Sequence, residues 1–175
     1  GLSWIIMSLI GALPFVIDGC IPSFVDAFFE TVSGFTTTGA SILTEIESLG
    51  RGMLFWRSFT HFVGGMGVLV FVLAILPQAD TRSVKLMHVM RAEVPGPKVG
   101  KLVSKIGRTA RIMYGIYIGL TVIEMILLLA GGMPVYGSIV NSFATAGTGG
   151  FAIKNASIAA YDSAYIDYVI GIFMF

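Results

Sequence analysis

Long apolar runs separated by short polar stretches dominate the pattern along this chain. Four long runs predict membrane-spanning helices or parts of them, at residues 1–17, 52–76, 109–131 and 164–175. Two shorter runs, 22–35 and 134–146, lie inside the first and second pairs of these spans. At about 1.5 Å per residue, a run of about 20 residues crosses about 30 Å of hydrocarbon, whereas each short run reaches only about 20 Å. The pattern therefore predicts an all-α integral membrane protein in which 22–35 and 134–146 are re-entrant half-helices.

The amino-acid composition agrees with a membrane environment. Of the 175 residues, 55% are hydrophobic and 12% are charged, and the mean hydropathy is +0.87, whereas a soluble domain has about 25% charged residues. Because the chain does not start with a methionine or a basic leader, and the last run is too short to cross a bilayer, we expect a piece of a longer polypeptide. The one cysteine, Cys20, excludes an internal disulfide.

Charged residues are distributed unevenly between the predicted connections. Two acidic residues, Asp80 and Glu93, oppose eight basic ones in 77–111, namely Arg82, Lys85, Arg91, Lys98, Lys101, Lys105, Arg108 and Arg111. Segment 18–51 instead has five acidic residues against Arg51 alone. The positive-inside rule makes the basic connection cytoplasmic and puts both half-helices outside. A nucleic-acid surface is disfavoured because the basic segment lacks interleaved aromatic residues.

Each predicted half-helix is followed by a loop of threonine, glycine and small residues. The first loop lies in SGFTTTGAS (33–41) and the second in FATAGTGGFAI (143–153). A shift of 110 residues places Thr148-Gly149 on Thr38-Gly39, so the order helix, half-helix, Thr-Gly loop, helix occurs twice in one orientation. The repeat depends on the order of elements more than on identical letters.

These two repeats define the expected domain organisation. The first covers 1–76, the basic cytoplasmic loop covers 77–110, and the second covers 111–175 and is truncated in its last span.

Non-helical backbone at membrane depth needs a special explanation, because lipid cannot satisfy free backbone N–H and C=O groups. Such a loop can line a pore with carbonyl oxygens that replace the hydration shell of a monovalent cation. Glycine reaches the positive φ angles that this requires, and the negative end of a half-helix favours a cation. The sequence therefore predicts an ion filter built from Thr37, Thr38, Gly39, Gly147, Thr148 and Gly149.

Four segments together resemble the bacterial Trk/Ktr potassium-uptake family, closest to its TrkH branch. They are FFETVSGFTTTGAS, GMLFWRSFTHFVGGMGVLVFVLAILP, the basic RAEVPGPK and FATAGTGGFAIKNASI, and the resemblance extends over the whole chain. It implies potassium-channel-like repeats of helix, pore half-helix, filter loop and helix, of which this chain would hold the first two of four. It also implies one filter glycine per repeat, here Gly39 and Gly149.

The resemblance implies partners and a location as well. We expect the remaining pore repeats of the parent chain, a homodimer, a cytoplasmic nucleotide-binding regulatory ring protein and membrane lipid as partners, and no nucleic acid. The expected location is the bacterial inner membrane, with several spans and with the filter loops on the outer side. The transported ion is K+, and no prosthetic group is expected.

Two other classes of function were open at the sequence level. A cation-coupled secondary transporter also has internal repeats and broken helices, but parallel repeats favour a pore. A membrane enzyme is disfavoured because no catalytic constellation is found. Sodium permeation is a closer rival: in the resembled family, serine at the first filter glycine accompanies it, so Gly39 favours potassium.

Four polar residues lie in the apolar segments, and the role of each has two interpretations. Glu30 and Arg57 are expected to form a buried structural pair that braces the first loop, with snorkelling of Arg57 to the interface as the alternative. Glu124 is expected to be a protonated carboxyl hydrogen-bonded to a neighbouring helix, with contact to the permeation path or a proton route as the alternative. His61 is expected to be a packed, hydrogen-bonded residue and not a pH sensor or metal ligand. The small residues Gly64, Gly65 and Gly67 predict a close approach of another helix.

Overall fold

The computed structural model describes the backbone of residues 2–75 and 99–174 and the side chains of 2–71 and 107–174. Its α-helices are, in chain order, α1 (Leu2–Asp18), α2 (Phe24–Phe35), α3 (Arg51–Ile75), α4 (Val99–Ala130), α5 (Val135–Ala146) and α6 (Ala164–Phe173). A short 3-10 helix, Ser157–Tyr161, precedes α6. The predicted helical fold and both predicted half-helices, α2 and α5, are therefore confirmed.

The first repeat is built from α1, α2 and α3. The chain reverses after α1 at Gly19, whose φ of +78° is easy only for glycine. Ser23 caps α2 by accepting a hydrogen bond from the Asp26 N–H at 3.4 Å, so Pro22 lies just before the cap and not in the first turn. The Thr31 hydroxyl donates to the Ser8 carbonyl at 3.1 Å and joins α2 to α1. An apolar core formed by Ala12, Phe15, Ile21 and Ala27 fixes this half-helix at its N-terminal end.

The second repeat places α5 between α4 and α6. Pro134 is the N-cap residue of α5 and again lies before the first helical residue. Ser142 donates to the Ser138 carbonyl at 2.6 Å, one turn earlier in the half-helix. The core of this repeat is apolar and lies between α4, the residues just before α5, and α6, with Leu128, Met133, Ile166, Val169 and Ile170 as its buried members.

Helix α3 joins the two repeats, because it packs against α2, α4 and α5. Glycines permit this: a Cβ on Gly64 would overlap the Phe35 carbonyl, and one on Gly65 would lie 3.1 Å from the Gly147 Cα. The Tyr117 hydroxyl of α4 donates to the Phe62 carbonyl of α3 at 3.0 Å. Of the glycines predicted to allow a close approach, Gly64 and Gly65 thus lie against the ends of the two half-helices, and Gly67 lies against Trp4 of α1.

The spans agree with the apolar runs except at one boundary. Two stretches, Arg51–Phe71 and Gly107–Ala130, are long and apolar enough to cross a membrane, and α1 and α6 are shorter apolar helices. Helix α4 begins at Val99, inside the segment predicted as the basic loop 77–110. Apolarity marks only the part of a helix that suits lipid, so the polar first turns of α4 escaped prediction. Residues 76–98, which hold most of the predicted loop, lie outside the described residues.

Candidate functional site: two Thr-Gly loops

The first loop leaves α2 through a tight turn. The N–H groups of Thr36, Thr37 and Thr38 donate to the carbonyls of Val32, Gly34 and Ser33 at 2.9, 3.0 and 2.9 Å. Thr37 has a φ of +55° and Gly39 a φ of +76°. A β-branched residue rarely adopts a left-handed conformation, which costs about 1–3 kcal/mol and is concentrated at functional sites. Thr37 therefore marks a strained turn directly after the half-helix.

The second loop repeats this turn bond for bond. The N–H groups of Gly147, Thr148 and Gly149 donate to the carbonyls of Phe143, Thr145 and Ala144 at 3.4, 2.7 and 3.0 Å. The positive φ angles fall at Thr148, +52°, and Gly150, +80°. A second threonine is thus held in the left-handed region at the same place in its turn.

These bonds give a repeat shift of 111 residues and correct the predicted shift of 110. The starts of α2 and α5, Phe24 and Val135, differ by 111, as do their ends, Phe35 and Ala146. Gly39 therefore corresponds to Gly150, whereas the sequence comparison paired it with Gly149. The glycine doublet allows either register by its letters, and only the turn geometry distinguishes them.

The two loops meet at Gly39. A Cβ on Gly39 would overlap the carbonyl oxygen of Gly149, and the φ of +76° also disfavours any side chain there. Two independent constraints thus require glycine at this position. The structure brings together the loops that contain the six predicted filter residues, with the Gly149 carbonyl directed at Gly39.

The threonines of the first loop have different surroundings. The Thr36 hydroxyl donates to the Val32 carbonyl at 2.7 Å and lies 2.8 Å from the Thr38 hydroxyl. Thr37 instead turns its methyl group toward α3, where a Cβ on Gly64 would lie 3.0 Å away. Gly64 thus makes room for the strained Thr37.

A buried ion pair supports the first loop from behind. Arg57 and Glu30 are both buried, and the Arg57 Nε and Nη2 atoms each lie 2.8 Å from Glu30 Oε1. The Ser41 hydroxyl donates to Glu30 Oε1 at 2.9 Å, and the Ile42 N–H donates to Glu30 Oε2 at 3.2 Å. Arg57 Nη2 also donates to the Ser41 hydroxyl at 3.1 Å. The pair therefore connects α2, α3 and the segment that leaves the loop, and Arg57 does not reach an interface.

The polar span residues Glu124 and His61 lie beside the second loop. Glu124 is buried, and the Thr145 hydroxyl at the end of α5 faces its carboxyl group. His61 is fully buried, and its ring stacks on that of Phe151 with centroids 4.0 Å apart. Within the described residues, neither ring nitrogen of His61 has a hydrogen-bond partner, so the residue is packed as expected but the expected hydrogen bond is not found.

A polar clasp joins the segments that follow the two loops, and sequence reasoning missed it. The Asn155 side chain accepts from the Ile46 N–H at 2.7 Å and donates to Glu45 at 3.0 Å. Its backbone N–H donates to Glu47 at 3.2 Å, and Lys154 lies 3.5 Å from Glu47. No pattern in the sequence signals this contact, because its partners are more than 100 residues apart and lie in irregular segments.

Two parallel units of helix, half-helix and strained loop, with the loops in contact, define a membrane protein of the pore-loop class. The sequence profile of the TrkH family, described as a cation transport protein, matches residues 2–175. The chain therefore belongs to the TrkH family, and the family expected from its sequence motifs is confirmed. Membership of a cation transport family also agrees with the expectation that the chain is not an enzyme.

Several relatives are similar over nearly the whole chain. The Trk system potassium uptake protein TrkH of Salmonella typhimurium is 41% identical over 175 residues, which are 99% of this chain and 36% of that protein. The protein of the same name from Escherichia coli has the same identity and coverage. The Trk system potassium uptake protein TrkG of Escherichia coli is 36% identical over 172 residues, 97% of this chain and 35% of that protein.

A solved structure shares the fold. The crystal structure of the potassium transporter TrkH from Vibrio parahaemolyticus matches with a TM-score of 0.79 and 32% identity, over 98% of this chain and 33% of that one. The chain spans 36% of the length of the TrkH relatives above.

Proposed function

We propose that this chain forms the first two pore repeats of a potassium uptake protein. The observation that carries the proposal is the meeting of two strained loops, in which Gly39 lies against the carbonyl of Gly149. Loops in contact with each other, each behind a half-helix, are what a filter of backbone carbonyls requires. The names of the similar proteins, potassium uptake and potassium transport, support potassium as the ion.

The filter consists of Thr37, Thr38 and Gly39 in the first loop and Gly147, Thr148 and Gly149 in the second. Gly150 is added because it corresponds to Gly39 in the structural register. Backbone carbonyls and the negative ends of α2 and α5 attract the cation, so no carboxylate has to enter the path. K+ is the transported substrate in this scheme and not a resident cofactor.

The remaining features of the assembly belong to the same proposal. Two repeats cannot close a fourfold pore, so the remaining repeats of the parent chain complete it. The parent forms a homodimer in the bacterial inner membrane and binds a cytoplasmic nucleotide-binding ring protein. The filter loops face outward, and the basic segment 77–110 faces the cytoplasm, as its excess of Lys and Arg indicates.

Rubidium uptake by the parent protein in liposomes tests the proposal. Potassium and sodium are added as competitors, and wild type is compared with Gly39→Ser. Gly50→Ser is the matched control, because a Cβ at Gly50 meets no atom within 4 Å. We expect potassium alone to block wild-type uptake. Gly39→Ser should lower the folded yield, because its Cβ would overlap the Gly149 carbonyl, and rubidium uptake by the protein that folds should be sodium-sensitive. Wild-type uptake that sodium blocks as well as potassium would favour the sodium-permeable or cation-coupled alternative.

A further inference from the structure

His61 lies on α3 behind the second loop. Its side chain is fully buried, and its ring stacks on Phe151 with an interplanar angle of 29°. A Cβ on Gly149 would overlap the Cε1, Nδ1 and Nε2 atoms of the His61 ring. The backbone of the second loop at Gly149 is therefore in van der Waals contact with the imidazole of His61.

The contact between His61 and Gly149 connects the His61 ring to the proposed ion path. Gly149 has the His61 ring on one side, and its carbonyl oxygen is the atom that a side chain on Gly39 would overlap. The backbone of His61 also contacts the loop, because a Cβ on Gly147 would overlap the His61 carbonyl group. A shift of the ring would thus move the carbonyl that faces the first loop.

The nitrogens of His61 do not account for its position. Buried side-chain nitrogens normally have hydrogen-bond partners, yet neither of these has one among residues 2–71 and 107–174, although the Ser33 backbone lies near the ring. What the ring does make is a close face-to-face contact with Phe151 and a steric contact with Gly149. The His61 ring therefore acts on the second loop through its shape, and not through its charge or a hydrogen bond.

We propose that His61 is a positioning residue for ion selection, whose flat ring sets the distance of the Gly149 carbonyl from the first loop. This inference rests on the proposed function of the two loops as a filter. In the snug-fit account of ion selection, discrimination between K+ and Na+ depends on how firmly the carbonyls are held at their spacing. A close-packed wall behind the loop resists the inward or outward movement that a smaller ion would require.

Competition of sodium with rubidium uptake by the full parent protein tests this role. His61→Ala removes the ring, His61→Leu keeps much of its volume without a flat face, and His61→Phe keeps a flat ring without nitrogens. Phe71→Ala is the control, because it removes a ring from the same helix where the side chain is 60% exposed. Folded yield and oligomer size are measured for each variant. If His61→Ala or His61→Leu fails to fold, the other of these two variants gives the result.

We expect His61→Ala or His61→Leu to lower the ratio of sodium to potassium inhibitory concentrations by about threefold or more, since the Gly149 carbonyl is released. His61→Phe and Phe71→Ala should stay within about twofold of wild type, because a ring still backs the loop in both. Unchanged selectivity in the Ala and Leu variants would overturn the proposal. It would also be overturned if His61→Phe were as defective as His61→Ala.

The Gly39→Ser variant in the same assay distinguishes a failure of the filter assignment from a failure of the role of His61. If Gly39→Ser alters selectivity and the His61 variants do not, the filter stands and the role of His61 fails. If Gly39→Ser leaves selectivity unchanged, the filter assignment fails and the role of His61 fails with it.

Discussion

Arg57 and Glu30 illustrate how single residues hold the first loop. Their charges are buried together, and Ser41 and the Ile42 N–H occupy the remaining acceptor positions of the carboxylate. Such a pair is strongly sensitive to the loss of one partner, because the other charge is then buried alone. At the residue scale, therefore, the geometry of the loop depends on a polar network that no apolar pattern predicts.

Breaking this pair tests its bracing role. Arg57→Gln or Glu30→Gln alone should lower the stability of the parent protein by about 3–5 kcal/mol, and the double variant should recover part of the loss. Glu47→Gln is the control, since its partner Lys154 and Glu47 itself are 45% and 46% exposed and such pairs contribute about 1 kcal/mol or less. Thermal unfolding of detergent-solubilised protein measures these differences. Additive losses in the double variant would refute a direct pair.

The helices could be predicted from the sequence where their signal comes from residues that are close together in the chain. Runs of apolar residues located α1, α3, α5 and α6 to within about two residues, since each must match a membrane or a half-helix length. The start of α4 and the repeat register were wrong, because polar helical turns and a glycine doublet leave no apolar signal. The clasp at Asn155 and the wall formed by His61 are contacts between distant segments, so only the fold could reveal them.

The register of the second loop can be tested with two neighbouring glycines. Gly150→Ser should fold with a loss of about 1–2 kcal/mol, because a Cβ there meets no atom within 4 Å although φ is +80°. We expect this variant to alter sodium competition as Gly39→Ser does. Gly149→Ser should reduce the folded yield, since its Cβ would overlap the His61 ring.

Rubidium uptake and size-exclusion profiles of the two variants distinguish the registers. Normal folding with altered selectivity in Gly149→Ser, together with wild-type selectivity in Gly150→Ser, would support the shift of 110 and contradict the structural one.

At the scale of the whole molecule, the proposal fixes an orientation across the membrane. Along the chain, each half-helix and the clasp segment that follows it lie between the two spans of one repeat, and the basic segment 77–110 lies between the repeats. The single cysteine, Cys20, follows α1 at the end that carries the half-helices. Its accessibility therefore reports which side of the membrane holds the loops.

Labelling Cys20 tests this orientation. In a parent protein with its other cysteines replaced, a membrane-impermeant maleimide should label right-side-out vesicles and not inside-out ones. Burial, followed by the neighbouring Asp18, raises the pKa of the Cys20 thiol, so less thiolate is present at neutral pH and labelling should accelerate between about pH 7 and about pH 9.

Ser83→Cys in a Cys20→Ser background is the matched control for this labelling and should react only in inside-out vesicles. Labelling of Cys20 from the cytoplasmic side would place the loops inside and contradict the proposed orientation.

The central claim, that the ion is read where Gly39 meets the second loop, is tested most directly by sodium competition in Gly39→Ser. The added side chain would enter the space of the Gly149 carbonyl. Rubidium uptake should therefore become sensitive to sodium in Gly39→Ser and stay insensitive in Gly50→Ser. Uptake with the same potassium and sodium dependence in both variants and in wild type would contradict the claim that these loops form the filter.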